Sequence, residues 1–478
     1  MKDTAKPDHP GHRWDAGASS RSGTHQGMRL LPWSVAVLVT ATLVTVPAGP
    51  AAAALTRDPV TVVYTRDHAL HVLNGGATDD DLAARTAKLA SSAWAFFRGT
   101  SPLYYRDLGE LAPSAYATGG SDVWITGDAH LENTGADRGA DNVEQYQVTD
   151  TDDAWRGSWT WELRREAVAI VLAGRANGRS ATAIAGDVDT LVAEYAQWID
   201  KFHGTGDELT WRLTATNTSD LSAALIADSA GDHRSDLLAR WTTVSGGTRT
   251  FASDPELQTV PAATRTSLIN AVASYRTTAG EPLSAGEAVV KDVRRRLGAG
   301  TGSLGRFRWY VLIEGDTTST SDDRILELKQ QVDPAPKQLA PTATTLTGGQ
   351  RPALALRWLA NQSDPLAGWA SVGTVPVLVK EKSPFAEDLA IADLTSSAKW
   401  DDTVRDIGRL LAAAHSRADQ DLTGTGLSYS ADAAIDNAIT SVSGLQAETR
   451  AFATGYADQV TLDWQSYVAA RNSGRPLY

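Results

Sequence analysis

Apolar positions recur every three to four residues from Asp79 to Leu111, in DDDLAARTAKLASSAWAFFRGTSPLYYRDLGEL, and predict helices broken near RGTSP. The aspartates that open this segment suit the positive end of a helix dipole. A short apolar stretch, SDVWIT, then reads as a strand running into the polar turn GDAHLEN. NVEQYQV reads as a second strand ending in carboxylates, and the apolar run after it as a helix stopped by Asn177 and Gly178. Helical spacing dominates residues 180–290, in AGDVDTLVAEYAQWIDKF and around RTSLINAVASYRT.

The period changes at Lys291. RFRWYVLIEG and RILELKQQV read as strands separated by a polar loop, and GTVPVLVKE as a third, placed at a sheet edge because Lys380 and Lys382 suit an exposed strand. From TSSAKWDDTVRDIGRLLAAAHSRAD to the end the helical spacing returns. The expected class is therefore α+β, with a helical part from residues 55–290 and 386–478 and a small antiparallel β part over 291–385.

Residues 1–54 read as an address. After a polar start, MRLLPWSVAVLVTATLVTV supplies Arg29 and an apolar run, and small residues near Ala52 to Ala54 offer a cleavage site. A secretory signal peptide over about 28–54 is expected, with Met28 as a second candidate start. An uncleaved anchor is the competing reading, although about 17 apolar residues barely span a bilayer. The expected location is secreted or cell-surface, with no stable membrane span after cleavage.

Composition narrows the chemistry. With 44 basic and 57 acidic residues the 478-residue chain carries −13, which argues against a nucleic-acid partner. A hydrophobic fraction of 42% with 15 Trp can fill a large core, and the absence of cysteine excludes disulfides and thiolate-bound zinc.

The candidate chemistry starts at GDAHLEN. Asp128 and Asn133 have the D-x-x-x-x-N spacing by which a phosphotransferase loop sets a carboxylate on an acceptor hydroxyl and an amide oxygen on magnesium. Asp150 and Asp152 alternate onto one face of an extended segment and are expected as hard oxygen ligands. Asp128 and His130 also fit the start of a dinuclear phosphoesterase, but few other histidines are at hand, so His130 is expected to hold the loop by a hydrogen bond.

Downstream, GAGTGSLG contains G-x-G-x-x-G at Gly300, Gly302 and Gly305. It opens a strand rather than a helix, which argues for a phosphate-covering hairpin and against a dinucleotide fold. Lys329 shares a strand face with Ile325 and Glu327 and is placed to reach a phosphate. Arg98, beside Gly99, is a further candidate anion contact.

SSAWAFFRGTSPLYYRDL, GDAHLENTG, VTDTDDAWRGSWTWELRREA, GAGTGSLGRFRWYVLIEG with ILELK, and VPVLVKEKSP with IGRLLAAAHSRAD resemble the successive blocks of the bacterial family catalogued as domain of unknown function 2252. The same blocks are similar to those of aminoglycoside phosphotransferases in a different cyclic order. The resemblance implies a kinase-like two-lobed fold, circularly permuted, with a Mg²⁺ and ATP cleft and a small-molecule ligand. It implies Asp128 as base, Asn133 and Asp150 as magnesium ligands with Asp152 as a further one, and Lys329 as phosphate clamp. The helix after the lysine strand, GGQRPALALRWLANQS, has no acidic residue to pair with Lys329, and Glu327 is the nearest candidate. An exported, non-catalytic ligand-binding pseudokinase and a metal-dependent phosphoesterase are the alternatives.

Overall fold

The computed structural model describes residues 55–478, so the expected signal segment lies outside the described residues. Four helices open the fold: α1 (Pro59–Leu73), α2 (Asp79–Ser91), α3 (Ala93–Gly99) and α4 (Ser101–Leu108). Ser92 separates α2 from α3 in extended backbone, and its side chain accepts from the Ala95 N–H to start the next helix.

The chain then makes β1 (Asp122–Ile125), β2 (Thr134–Arg138), β3 (Glu144–Val148) and β4 (Trp155–Ser158). β1 pairs with β4, and β2 pairs with β3, so GDAHLEN and VTDTDD are the loops linking two small antiparallel ladders. Next come α5 (Trp159–Ala176), α6 (Ala181–Phe202), α7 (Asp220–Gly231) and α8 (Arg234–Trp241). Asn177 caps α5 and Gly178 follows at φ +71°, as the Asn-Gly pair predicts.

The expected helices of 180–290 form, one of them on RTSLINAVASY, but three short strands interrupt them. β5 (Thr242–Ser245), β6 (Thr248–Phe251) and β7 (Leu257–Gln258) precede α9 (Ala262–Tyr275). α9 lays Leu268, Val272 and Tyr275 against the apolar sheet face made by Trp309, Val311, Leu326, Leu328, Val377 and Val379. The β part thus recruits chain from before Lys291.

Its remaining elements are β8 (Val290–Arg296), β9 (Arg308–Ile313), β10 (Arg324–Gln330), α10 (Gln350–Leu359), β11 (Gly368–Val372) and β12 (Val375–Glu381). They form a six-stranded antiparallel sheet in the order β11-β12-β10-β9-β8-β7. β12 is therefore interior, not the edge strand that its lysines suggested. Lys380 stands opposite Glu327 and is partly buried.

β13 (Glu387–Asp388) crosses back to pair with β2, and α11 (Ser397–Arg417), α12 (Ala431–Ala438) and α13 (Val442–Asn472) close the fold. α11 and α13 bury Ile407, Leu411, Ala453 and Tyr467 in one large core with α3, α5 and α6. Among the described residues no helix is long and apolar enough to cross a membrane.

Candidate functional site

GDAHLEN begins where β1 ends, and its entry is fixed from α5. Glu162, fully buried, accepts from the backbone N–H of Thr126 at 2.9 Å and of Gly127 at 3.0 Å, and from the Thr126 hydroxyl. His415 of α11 meets the same carboxylate at 2.7 Å, and its other ring nitrogen meets the Tyr195 hydroxyl at 2.9 Å. Gly127 has φ +80°, and a Cβ there would lie 2.0 Å from the carbonyl oxygen of Asp153. Only glycine lets the two acidic loops touch.

Asp128 follows. Its Oδ1 accepts from Arg165 Nε at 3.0 Å and from a second guanidinium nitrogen, while the guanidinium stacks over Phe97 at 4.3 Å from the ring centre. Burial pushes the Asp128 carboxyl up to about 6; Arg165 opposes that rise, and the charges of Asp153 and Asp150 add to it. Asn133 donates from its side-chain amide to the Asp128 carbonyl at 2.9 Å, which leaves its amide oxygen as an acceptor. The Thr149 N–H donates to the Asn133 carbonyl at 3.0 Å, so the end of the β2–β3 ladder sets Asn133 beside Asp150.

Asp150 and Asp152 converge on Lys329, which is 179 positions from Asp150. The Lys329 amine lies 3.1 Å from Asp150 Oδ2 and 2.5 Å from Asp152 Oδ2, with the lysine 7% exposed. Burial alone would lower the Lys329 amine; Asp150 and Asp152 reverse that and raise it. Burial likewise opposes ionisation of Asp150, but Lys329, the Asp152 N–H and Lys380 hold its carboxyl below the usual range.

The glycine segment lies between β8 and β9 and reaches the Asp128 side chain. A Cβ on Gly302 would lie 3.8 Å from Asp128 Oδ2. Its carbonyls face outward to the first helices: Lys88 reaches Gly300 O at 2.8 Å, Arg85 reaches Thr301 O at 2.8 Å, and Arg66 reaches Gly302 O at 2.6 Å. Because N–H and C=O oppose each other across a trans peptide, the N–H groups of Thr301, Gly302 and Ser303 face the other way. They have no acceptor among the described residues. Successive unpaired N–H groups of this kind form an anion-binding concavity.

Several expected roles change. Asp152 is not available to a metal ion: Lys329, Arg306 at 3.1 Å and Gln331 at 2.9 Å occupy its two oxygens. Glu327 does not partner Lys329. It pairs with Arg308 at 2.8 Å, and against the effect of burial Arg308, then Lys380, Lys329 and Lys382, bring its carboxyl down to about 2. Asp150 and Asp152 take the place of the acid missing from α10, and Arg351 of α10 anchors their loop by donating to the carbonyls of Asp152 at 2.7 Å and Ala154 at 2.6 Å.

Gly305 is a packing residue, buried where a Cβ would lie 2.4 Å from Leu82 Cδ2. Arg98 is engaged by Glu132 and lies 5.7 Å from the Trp94 ring centre, away from a free anion role. His130 does not hold the loop through Nδ1, which has no partner among the described residues; its ring packs edge-on against Trp94. Burial, then Arg98 and Arg165, keep the imidazole neutral, far below its ordinary value.

Arg165, Arg351, Arg308 and the Glu162–His415 pair were not singled out as site residues from the sequence. Arg165 sits in WELRREA, one turn after Glu162, and its spacing was the one available signal. The next residue, Glu166, is buried with Oε1 unpartnered among the described residues, and burial, then Glu162, push it up to about 8. A carboxyl raised in the folded state binds more protons there, so it favours folding below its unfolded value and loses that contribution as pH rises toward 8. Glu166→Gln is therefore expected to flatten the fall in urea midpoint between pH 5 and pH 8.

Among the described residues no three His, Cys, Asp or Glu side chains are grouped to hold a metal ion by themselves. The Asn133 oxygen and the partly exposed Asp150 carboxylate do suit Mg²⁺, which takes one or two protein oxygens and completes its shell with water and phosphate. The phosphates of ATP fit the Lys329 amine and the unpaired N–H groups. A nucleobase does not fit the sheet face above, which carries Arg308, Glu327 and Lys380.

Fold and site together define a mixed α+β protein with a charged cluster built from four separate chain segments. The chain matches the family described as "Uncharacterized protein conserved in bacteria (DUF2252)" over residues 78–470 and belongs to it. No curated protein and no solved structure matches the chain.

Proposed function

We propose that the cluster binds a Mg²⁺-complexed phosphoanhydride and transfers its terminal phosphoryl group to a small-molecule hydroxyl. One observation carries the reading: Lys329 is held by Asp150 and Asp152, Asp150 acts in turn on Asp128, and Asp128 Oδ2 lies beside Gly302 in a segment with unpaired N–H groups. The hairpin, lysine strand, helix and two further strands follow one another in the order that a kinase-like small lobe would take, with the catalytic-loop motif moved ahead of them.

Arg165 holds Oδ1 of Asp128 and leaves Oδ2 toward the glycine segment to accept the hydroxyl proton. The hydroxyl oxygen bonds to the terminal phosphorus as its bridging P–O bond breaks, and the electron pair leaves with the shortened phosphate. Lys329 and the N–H groups of the hairpin orient the phosphate oxygens. Mg²⁺ bound at Asn133 and Asp150 would supply charge neutralisation.

The test is ³¹P NMR of the full chain with Mg²⁺, ATP or tripolyphosphate, and a panel of polyols and amino alcohols. A new phosphomonoester is expected from wild type and not from Asp128→Asn, which should keep ligand binding. A panel without any phosphomonoester would refute transfer. Asp150→Ala is expected to remove the Mg²⁺-dependent part of binding while leaving the melting temperature within a few degrees, since this carboxylate is partly exposed.

A second reading, binding without turnover, is favoured by Arg165 occupying one oxygen of Asp128. It predicts that wild type and Asp128→Asn bind alike and that neither transfers phosphate. Export belongs to the proposal as well: mass spectrometry should find the mature N-terminus near Ala54, and a chain retaining Met28 in the extracellular fraction would contradict cleavage.

A further inference from the structure

Resting on the phosphate reading above, we propose that the phosphoryl donor carries no nucleobase and is an inorganic oligophosphate. The sheet face beside Asp150, the roof of this site, is polar. Strand alternation and pairing put Arg308 opposite Lys329 and Glu327 opposite Lys380 on that face. Arg308 bridges Glu327 at 2.8 Å to the Ser303 hydroxyl at 3.1 Å, tying the roof to the glycine segment. Lys380 points toward the Thr149 carbonyl at 3.4 Å, beside Asp150. Farther out, Asp137 accepts from Ser383 at 2.5 Å, and Lys382 acts on both Asp137 and Glu327.

The apolar side chains of these strands are committed elsewhere. Trp309, Val311, Leu326 and Leu328 pack on α9, while Tyr310, Leu312 and Ile325 pack under Leu238 and Trp241 of α8. Leu378, beside Lys329, is buried, and it is one side chain where a planar base needs two apolar faces. Base recognition uses an apolar slot with a few aimed polar groups. A purine laid over Arg308 and Glu327, both largely buried and paired with each other, would gain no hydrogen bonds from them. An oligophosphate meets the same surface differently. Of the three roof cations, Arg308 pairs with Glu327 and Lys329 with Asp150 and Asp152, while Lys380 has no ion-pair partner among the described residues, and a phosphate along the chain brings the charge it pairs with.

In the transfer this donor implies, the acceptor hydroxyl oxygen bonds to the terminal phosphorus and the terminal bridging P–O bond breaks. The chain leaves one phosphate shorter, and the hydroxyl proton passes to Asp128 Oδ2.

Thermal melting of the full chain in Mg²⁺ with tripolyphosphate or ATP tests the inference. Tripolyphosphate is expected to give its half-maximal shift at a concentration at least about tenfold below that of ATP. Lys380→Ser, which breaks no buried ion pair, is expected to raise the tripolyphosphate midpoint about fivefold. ATP acting at the lower concentration would overturn the inference and leave the phosphate reading standing. An unchanged midpoint in Lys380→Ser would overturn the role given to the roof, and no shift with either ligand would remove both proposals.

Discussion

Lys329→Met is expected to lower folding stability by about 2 to 3 kcal/mol and phosphate affinity about a hundredfold. Removing one member of a buried charge pair leaves its partner unpaired, and Lys329 has two partners. The cost falls at the low end of the usual range for two reasons. Asp152 keeps Arg306 at 3.1 Å and Gln331 at 2.9 Å, and Asp150 is exposed enough to recover water. The two effects separate on assay. Urea midpoints report the first, and titration of the still-folded variant with Mg²⁺ and tripolyphosphate reports the second. Lys329→Arg should restore most of the stability and only part of the affinity, because a planar fork cannot occupy the site of a point charge between two carboxylates.

A larger loss of stability is expected at Glu162. The Glu162 carboxylate satisfies two backbone N–H groups, the Thr126 hydroxyl and His415, all fully buried or nearly so. Glu162→Ala strands these donors, each at about 1 to 3 kcal/mol, and a total loss of about 5 kcal/mol is expected. Glu162→Gln keeps one acceptor oxygen for the loop and should cost about 1 to 2 kcal/mol. Equilibrium urea unfolding checks both, and a loss below about 1 kcal/mol for the alanine variant would show that Glu162 does not hold the loop entry. The GDAHLEN loop thus depends on helices α5 and α11.

What the sequence made legible was local. Alternation in ILELK put Glu327 and Lys329 on one face, and glycines before a strand marked a hairpin, which β8 and β9 form. The D-x-x-x-x-N spacing placed Asp128 and Asn133 in one turn, where the side chain of one meets the backbone of the other. Helix ends were readable at RGTSP, where α3 gives way to α4, and at Asn177, whereas the break at Ser92 was not.

Pairing across distance was not legible. Nothing near Asp152 indicates that Lys329 and Arg306 claim it, and nothing near the glycine segment indicates that Arg66, Arg85 and Lys88 turn its carbonyls outward. Arg351 likewise anchors the Asp150–Asp153 loop only because α10 runs past it. Strand order escaped for the same reason: lysines on β12 look like edge charges until the strand is seen between β10 and β11. The strands β5, β6 and β7, of two to four residues, are too short for a period to stand out from the helical spacing around them.

The central claim is that segments far apart in the chain close over one phosphate site, the Lys329 amine on one wall and Asp150 on the other. Calorimetric titration of Mg²⁺-tripolyphosphate into wild type, Lys329→Met and Asp150→Ala tests it most directly. One saturable site in wild type, weakened in both folded variants, is the predicted result. Equal binding in all three, or heat that never saturates in wild type, would contradict it.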